Sequence, residues 1–333
     1  MSSNTSEQPV FIFGAPRSGT SLLSRILNAH PQLCIPLESL LYSTFWPIRH
    51  SYGELNDDGN AERLLRHMLR WRPMLDWQPA VTFDDAIRYL DRRDFHGVFR
   101  AILMARAAQD SKPVWGEKSP WHAFYWREIL DGFPSARVVH IVRDPRDICL
   151  SWKKARQGQR HVYPLAGRWA AYQDTMSDVR TGWPNDAFYE IRYEALIEQP
   201  ESTCRGMCEF LGITYDTAML AFHEHAARER YNTDVTNEAN LARPVLATNA
   251  GKWADELGDD EIRWIEAVAG PHMDAYGYSR SLTNPQISGG ELALIRYLTN
   301  PISRIAGMVQ DTQGQREGLQ KITFPLLARL KLL

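Results

Sequence analysis

The stretch Val10-Phe11-Ile12-Phe13-Gly14-Ala15-Pro16-Arg17-Ser18-Gly19-Thr20-Ser21 carries the fold of this chain. Its four leading apolar residues read as a buried strand, the segment from Gly14 to Gly19 as a tight loop, and Leu22, Leu23, Ile26 and Leu27 as the apolar stripe of a helix. A strand, a glycine loop and a helix in this order present backbone N–H groups and a helix N-terminus to an anion. The two glycines are spaced as in the nucleotide-binding pattern GxxxxGK[ST], yet Thr20 stands where that pattern has lysine and the cation comes earlier, as Arg17.

Two further apolar runs follow the same plan. Arg137–Val142 stops at Arg143-Asp144-Pro145-Arg146-Asp147, where Pro145 suits the first turn of a helix. Phe188–Arg192 leads into Tyr193-Glu194 and a helix that resumes after Pro200. Strands alternating with helices predict an α/β fold: a central parallel sheet of the phosphate-loop type, flanked by helices. A magnesium triphosphate calls for the loop lysine and for an acidic residue at the end of a neighbouring strand. Here the second strand ends in Arg143, which asks for a phosphate and not a metal.

Residues 39–132 read as helices and loops, broken near Pro73 and Pro79, with a short extended piece at Pro113–Trp115. This is a helical acceptor region inserted between the first and later strands. It holds six of the 11 tryptophans, Trp46, Trp71, Trp77, Trp115, Trp121 and Trp126, which are expected mostly in the core, with some open to use as pocket walls. A Gly/Ser/Asn-rich break at Ser279–Gly290 divides a body, 1–282, from an extension, 283–333. Residues 285–333 carry six basic and three acidic side chains among Leu, Ile, Met and Phe, the pattern of an amphipathic helical tail. Such a tail docks on the body, pairs with a second copy or lies on a membrane surface.

With 333 residues, 44% hydrophobic and 23% charged, the composition is that of a globular protein, and a net charge of -2 supplies no global field for nucleic acid. Four scattered cysteines, of which Cys204 and Cys208 share a helix face, predict a reducing cytoplasm. The polar N-terminus and the short run Val10–Phe13 carry no signal-peptide core or membrane span, so a cytoplasmic location is expected. No His, Cys, Asp and Glu grouping has metal-ligand spacing, and no GxSxG element supports a hydrolase; no metal is expected.

Taken together, GAPRSGTSLL, RDPRDICLSW and RYEALIEQPESTCRGMCEFLGI resemble the sulfotransferases that use 3′-phosphoadenosine-5′-phosphosulfate (PAPS), over about residues 9–278. The resemblance is to the arginine- and glutamate-bearing branch that contains tyrosylprotein and glycan sulfotransferases. It implies that Arg17, Ser18, Gly19, Thr20 and Ser21 surround the 5′-phosphosulfate and that Arg143 and Ser151 hold the 3′-phosphate. Tyr193 takes the place of a nucleotide contact, and Lys252, in Asn249-Ala250-Gly251-Lys252-Trp253, that of a late loop closing over the phosphates. The structural alternatives are a surface ion pair with Asp147 for Arg143, a Tyr-Glu pair fixing the turn for Tyr193 and a solvated surface position for Lys252.

Sulfuryl transfer needs cations at the leaving phosphate and one base at the acceptor. Arg17 replaces the lysine common in the cytosolic branch and is too basic to give up a proton, so it serves as an electrostatic clamp. By resemblance, Lys118 in Gly116-Glu117-Lys118-Ser119-Pro120 is assigned to the sulfuryl group and Glu38 is the leading base, with a helix-start carboxylate as its alternative role. His122 is the second candidate base; His30 and His140 read as packing residues. The expected acceptor is a small-molecule, lipid-like or glycan alcohol. The rival functions are a phosphate-loop kinase, against which the absent lysine argues, and a non-catalytic nucleotide-binding scaffold.

Overall fold

The computed structural model describes residues 8–155, 161–226 and 243–299. Five parallel strands, β1 (Val10–Phe13), β2 (Leu33–Cys34), β3 (Val114–Lys118), β4 (Arg137–Val142) and β5 (Phe188–Arg192), form one sheet in the order β2-β3-β1-β4-β5. β1 lies at the centre, in register with β3 through Phe11↔Glu117 and Ile12↔Lys118 and with β4 through Phe11↔Val138 and Phe13↔His140.

Alternation along β1 divides the core. Val10 and Ile12 pack on one face with Leu23, Ile26 and Leu27 of α1 (Thr20–Asn28), while Phe11 and Phe13 pack on the other with Phe99, Trp115 and Trp183. Burial on both faces explains why the central strand β1 reads as a continuous apolar run. The inserted region supplies α2 (Leu41–Phe45), α3 (Asp58–Leu69), α4 (Arg72–Leu75), α5 (Phe83–Ile87), α6 (Phe95–Gln109) and α7 (Trp126–Gly132). β3 departs from the sequence reading: the short extended piece runs on through Gly116, Glu117 and Lys118 and is a full strand of the sheet. Two buried charges at its end, Glu117 and Lys118, break its apolar run.

After β4, Pro145 opens α8 (Pro145–Lys154), with Asp144 as its cap, accepting the Arg146 amide at 2.9 Å. α9 (Val162–Gly182) follows, and after β5 come α10 (Tyr193–Glu198) and α11 (Pro200–Leu211), which buries Cys204 and Cys208 together. The helix Asp259–Ala275 packs on α9. Its Arg263 donates to the Gln286 carbonyl at 2.7 Å and so ties the start of the C-terminal extension to the body. The remainder of the expected amphipathic tail, from residue 300, lies outside the described residues. No described helix is long and apolar enough to cross a membrane.

The chain leaves β1 toward β2 on one side of the sheet and leaves β4 toward β5 on the other. The crevice between the C-terminal ends of β1 and β4 is therefore a topological switch point, where open α/β sheets bind ligands. Arg17 follows the first of these strands and Arg143 the second.

Candidate active site

A cavity of about 620 Å³ opens at that crevice. Nine of the expected site residues line it: Arg17, Gly19, Thr20, Ser21, Glu38, Arg143, Ser151, Tyr193 and Lys252. The remaining two do not. Ser18 is fully buried, its amide donating to the Ala15 carbonyl at 2.9 Å and its hydroxyl having no partner among the described residues. Lys118 sits behind the wall, 3% exposed, donating to Glu38 Oε1 at 2.5 Å and Ser21 Oγ at 3.3 Å. The lysine assigned to the sulfuryl group thus contacts the candidate base directly.

The loop is held by strained backbone and by a distant tyrosine. Arg17 has φ 77°, a left-handed conformation that costs a non-glycine residue about 1–3 kcal/mol. The Gly14 amide donates to Tyr172 Oη at 2.9 Å, and that hydroxyl donates to the Pro120 carbonyl at 2.9 Å. Gly19 has φ 99°, and a Cβ there would stand 2.4 Å from a ring carbon of Tyr193. Gly19→Ala is accordingly expected to destabilise the protein by about 1–3 kcal/mol, measurable by urea denaturation. An unchanged denaturation midpoint would show that the loop does not need glycine there.

Two arginines meet over this loop. Arg17 Nε donates to Ser151 Oγ at 3.1 Å, and its guanidinium lies 5.9 Å from the Trp152 ring. Burial, and then the neighbouring Arg143 charge, lower its pKa to about 10. Arg143 stacks 4.1 Å over the Tyr193 ring and donates to the Arg17 carbonyl at 3.3 Å and the Asn249 carbonyl at 2.7 Å. Its Nε is buried with no partner among the described residues. The ion pair with Asp147 expected as the alternative for Arg143 is present, but at 3.8 Å it is loose.

Asp147 is a residue the sequence reading used only as that alternative. Its carboxylate accepts the amides of Gly251 at 2.7 Å and Trp253 at 3.1 Å, which folds the late loop over the cavity. Burial raises its pKa. Asn249, on that loop, donates to Tyr193 Oη at 2.7 Å and accepts from Lys252 Nζ at 2.9 Å. Its i,i+4 spacing from Arg143 placed Asp147 on the arginine's side of α8 and was the available signal. Trp152 also walls the cavity, outside the inserted region in which the sequence places aromatic walls.

Of the six tryptophans in that region, Trp71, Trp77 and Trp115 are buried core and Trp121 lines the cavity. His122, the second candidate base, is fully buried; its Nε2 accepts the Tyr42 amide at 3.2 Å, and burial lowers its pKa to about 3. It has no access to an acceptor. His30 and His140 are packing residues, hydrogen-bonded to the Thr214 carbonyl and the Glu190 carboxylate. Among the described residues no three His, Cys, Asp or Glu side chains group to hold a metal.

A switch-point cavity with a glycine loop and two facing arginines defines an anion-binding site. Residues 9–217 match the sulfotransferase family, and the chain belongs to it. It is 25% identical over 296 residues to a putative protein-tyrosine sulfotransferase of Caenorhabditis briggsae, covering 85% of this chain and 93% of the relative. It is also 28% identical over 157 residues to the omega-hydroxy-beta-dihydromenaquinone-9 sulfotransferase of Mycobacterium bovis, covering 43% of this chain and 40% of that one. Among solved structures it shares its fold with the sulfotransferase domain of the curacin biosynthetic pathway, at a TM-score of 0.51 and 18% identity over 82% of this chain and 98% of that domain.

Proposed function

We propose that this protein transfers the sulfuryl group of PAPS to a hydroxyl, less readily an amine, of a small-molecule, lipid-like or glycan acceptor. The observation that carries the reading is the pair of arginines, the half-buried Arg17 and the buried Arg143, facing one cavity with the half-exposed carboxylate of Glu38. The donor set fits a polyanion. Arg17, Arg143, Lys154 and Lys252 line the cavity against Glu38 and Asp147, and the buried Nε of Arg143 has a hydrogen bond left to give. When bound, PAPS supplies a sulfuryl group joined to a phosphate that departs as an anion.

The chain's own residues then divide the work. Amides of the loop and the hydroxyls of Thr20 and Ser21 bind at the N-terminus of α1, where the helix dipole favours negative charge. Arg17 keeps its proton at neutral pH even after burial and acts as a fixed cation. Arg143 and Ser151 receive the 3′-phosphate, and Tyr193 and Lys252 close that side. Glu38 takes the acceptor proton. Lys118 steadies that carboxylate and stands ready behind the sulfuryl position. A reducing compartment such as the cytoplasm suits the four buried free thiols.

Calorimetry tests the nucleotide assignment. PAP is expected to bind equally with and without EDTA and far better than AMP, which lacks the 3′-phosphate. Arg143→Ala should weaken PAP binding by roughly 1.5–3 kcal/mol, about tenfold or more. Loss of binding on chelation, or equal affinity for AMP, overturns the proposal.

A further inference from the structure

Just beyond Glu38, four consecutive backbone amides donate to side chains. Ser39 N–H donates to Glu117 Oε1 at 3.3 Å, Leu40 N–H to Ser119 Oγ at 3.1 Å, Leu41 N–H to Ser39 Oγ at 3.3 Å and Tyr42 N–H to His122 Nε2 at 3.2 Å. Leu40 lies in the left-handed region, φ 55°, so this turn is held against its own preference. Glu117 is the hub. Its Oε1 also accepts the hydroxyls of Ser39, at 2.9 Å, and of Ser119, while its Oε2 is buried with no partner among the described residues.

Alternation at the end of β3 links this hub to the reacting groups. Glu117 points to the face of Phe11 and Ser39, and Lys118 to the opposite face, where it meets Ser21 of α1 and Glu38. We infer that Glu117 is a positioning residue for sulfuryl transfer: its anionic carboxylate clamps the Ser39–Tyr42 turn to the end of β3 and so fixes Glu38 against Lys118. The inference rests on the transfer reaction proposed above, and the family motif as quoted in the sequence reading used only the lysine of this Glu-Lys-Ser-Pro segment.

The clamp is expected to titrate. Burial, opposed by hydrogen bonds from Ser119 and Ser39 and by the charge of Lys118, raises the Glu117 pKa from 4.5 to about 7. The groups facing it are Lys118 on its own strand, with Glu38 behind that ammonium; His122 at 3.5 Å from the helical turn Pro120–Tyr125, kept neutral by burial; and Ser39 from the turn before α2. Protonation at the unpartnered Oε2 removes the charge from the carboxyl whose Oε1 serves three donors, so those bonds lose their charge assistance and the turn loosens. Turnover therefore rises as pH passes through about 7. Stability runs the other way: the folded carboxyl holds its proton above the unfolded value of 4.5, so its contribution is present below that pH and is lost as pH rises through about 7.

The test combines hydrogen exchange with turnover on the full chain, using PAPS and a panel of a simple phenol, a steroid alcohol and a tyrosine peptide as acceptor probes. Glu117→Ala should accelerate exchange of the Ser39–Tyr42 amides and lower kcat by about 10- to 100-fold, with PAP affinity nearly unchanged. Glu117→Gln mimics the protonated acid, keeping an acceptor oxygen without the charge, so it should restore only part of the exchange protection and hold the rate at the low-pH level of the wild type, flat through neutral pH. Glu38→Gln serves as the control. An active wild type with Glu38→Gln inactive and Glu117→Ala unimpaired overturns this inference alone, as does a rising limb near neutrality that persists in Glu117→Gln. If Glu117→Ala does not fold, that persistence or loss decides. No transfer by the wild type to any probe overturns the proposed reaction and the inference with it.

Discussion

Turnover of Glu38→Gln is expected to fall by about 10²- to 10⁴-fold, the usual cost of losing a general base, while PAP affinity stays near that of the wild type. Glutamine keeps the shape of the side chain and an oxygen for Lys118, now 2.5 Å from Glu38 Oε1, so the change removes proton acceptance and little else. The geometry narrows the field. Glu38 is 38% exposed and lines the cavity, whereas His122 is sealed in the core with Nε2 engaged and a pKa lowered to about 3 by burial. Asp147 also lines the cavity, but it is occupied by the amides of Gly251 and Trp253. Single-turnover measurements at saturating acceptor, under conditions where chemistry limits the rate, check the assignment. Near-wild-type turnover there would mean that another group takes the proton.

Much of this site was legible in the sequence because its parts follow strands. The segments Gly14–Ser21 and Arg143–Asp147 come directly after β1 and β4, and a parallel sheet brings the ends of its strands to one edge. Side chains that meet across the fold were harder to read. Tyr172, in the middle of α9, supports the Gly14 amide from 158 residues away, and no local pattern announces that contact. The end of β3 is hard to read as strand because Glu117 and Lys118, both buried, interrupt its apolar run. Ser18 is expected at the phosphates from its place in the loop, but it is buried and does not line the cavity. Chain position located the loop, but the backbone conformation decided which of its side chains reach the cavity.

Lys118→Ala should depress turnover by about 10²- to 10³-fold, the loss seen when one preorganised donor is removed from a developing negative charge. Two effects combine, and nucleotide binding separates them. As a buried cation behind Glu38 and Ser21, Lys118 bears on the side of the cavity where the phosphosulfate is proposed to end. PAP lacks that terminal group, so the variant should weaken PAPS more than PAP, and the ratio of their dissociation constants reports the contact with the sulfuryl group. The second effect is on the base, since removing the ammonium leaves the Glu38 carboxylate without the partner that orients it. A double variant, Lys118→Ala with Glu38→Gln, distinguishes the two. If Lys118 acts only by orienting Glu38, the double variant should be no slower than Glu38→Gln; if it also bears sulfuryl charge, the double variant should be slower still, with the additional factor matching the shift in the PAPS-to-PAP ratio. Equal loss of affinity for PAPS and PAP, with no further slowing in the double variant, would remove Lys118 from the sulfuryl group and leave it as a support for the base.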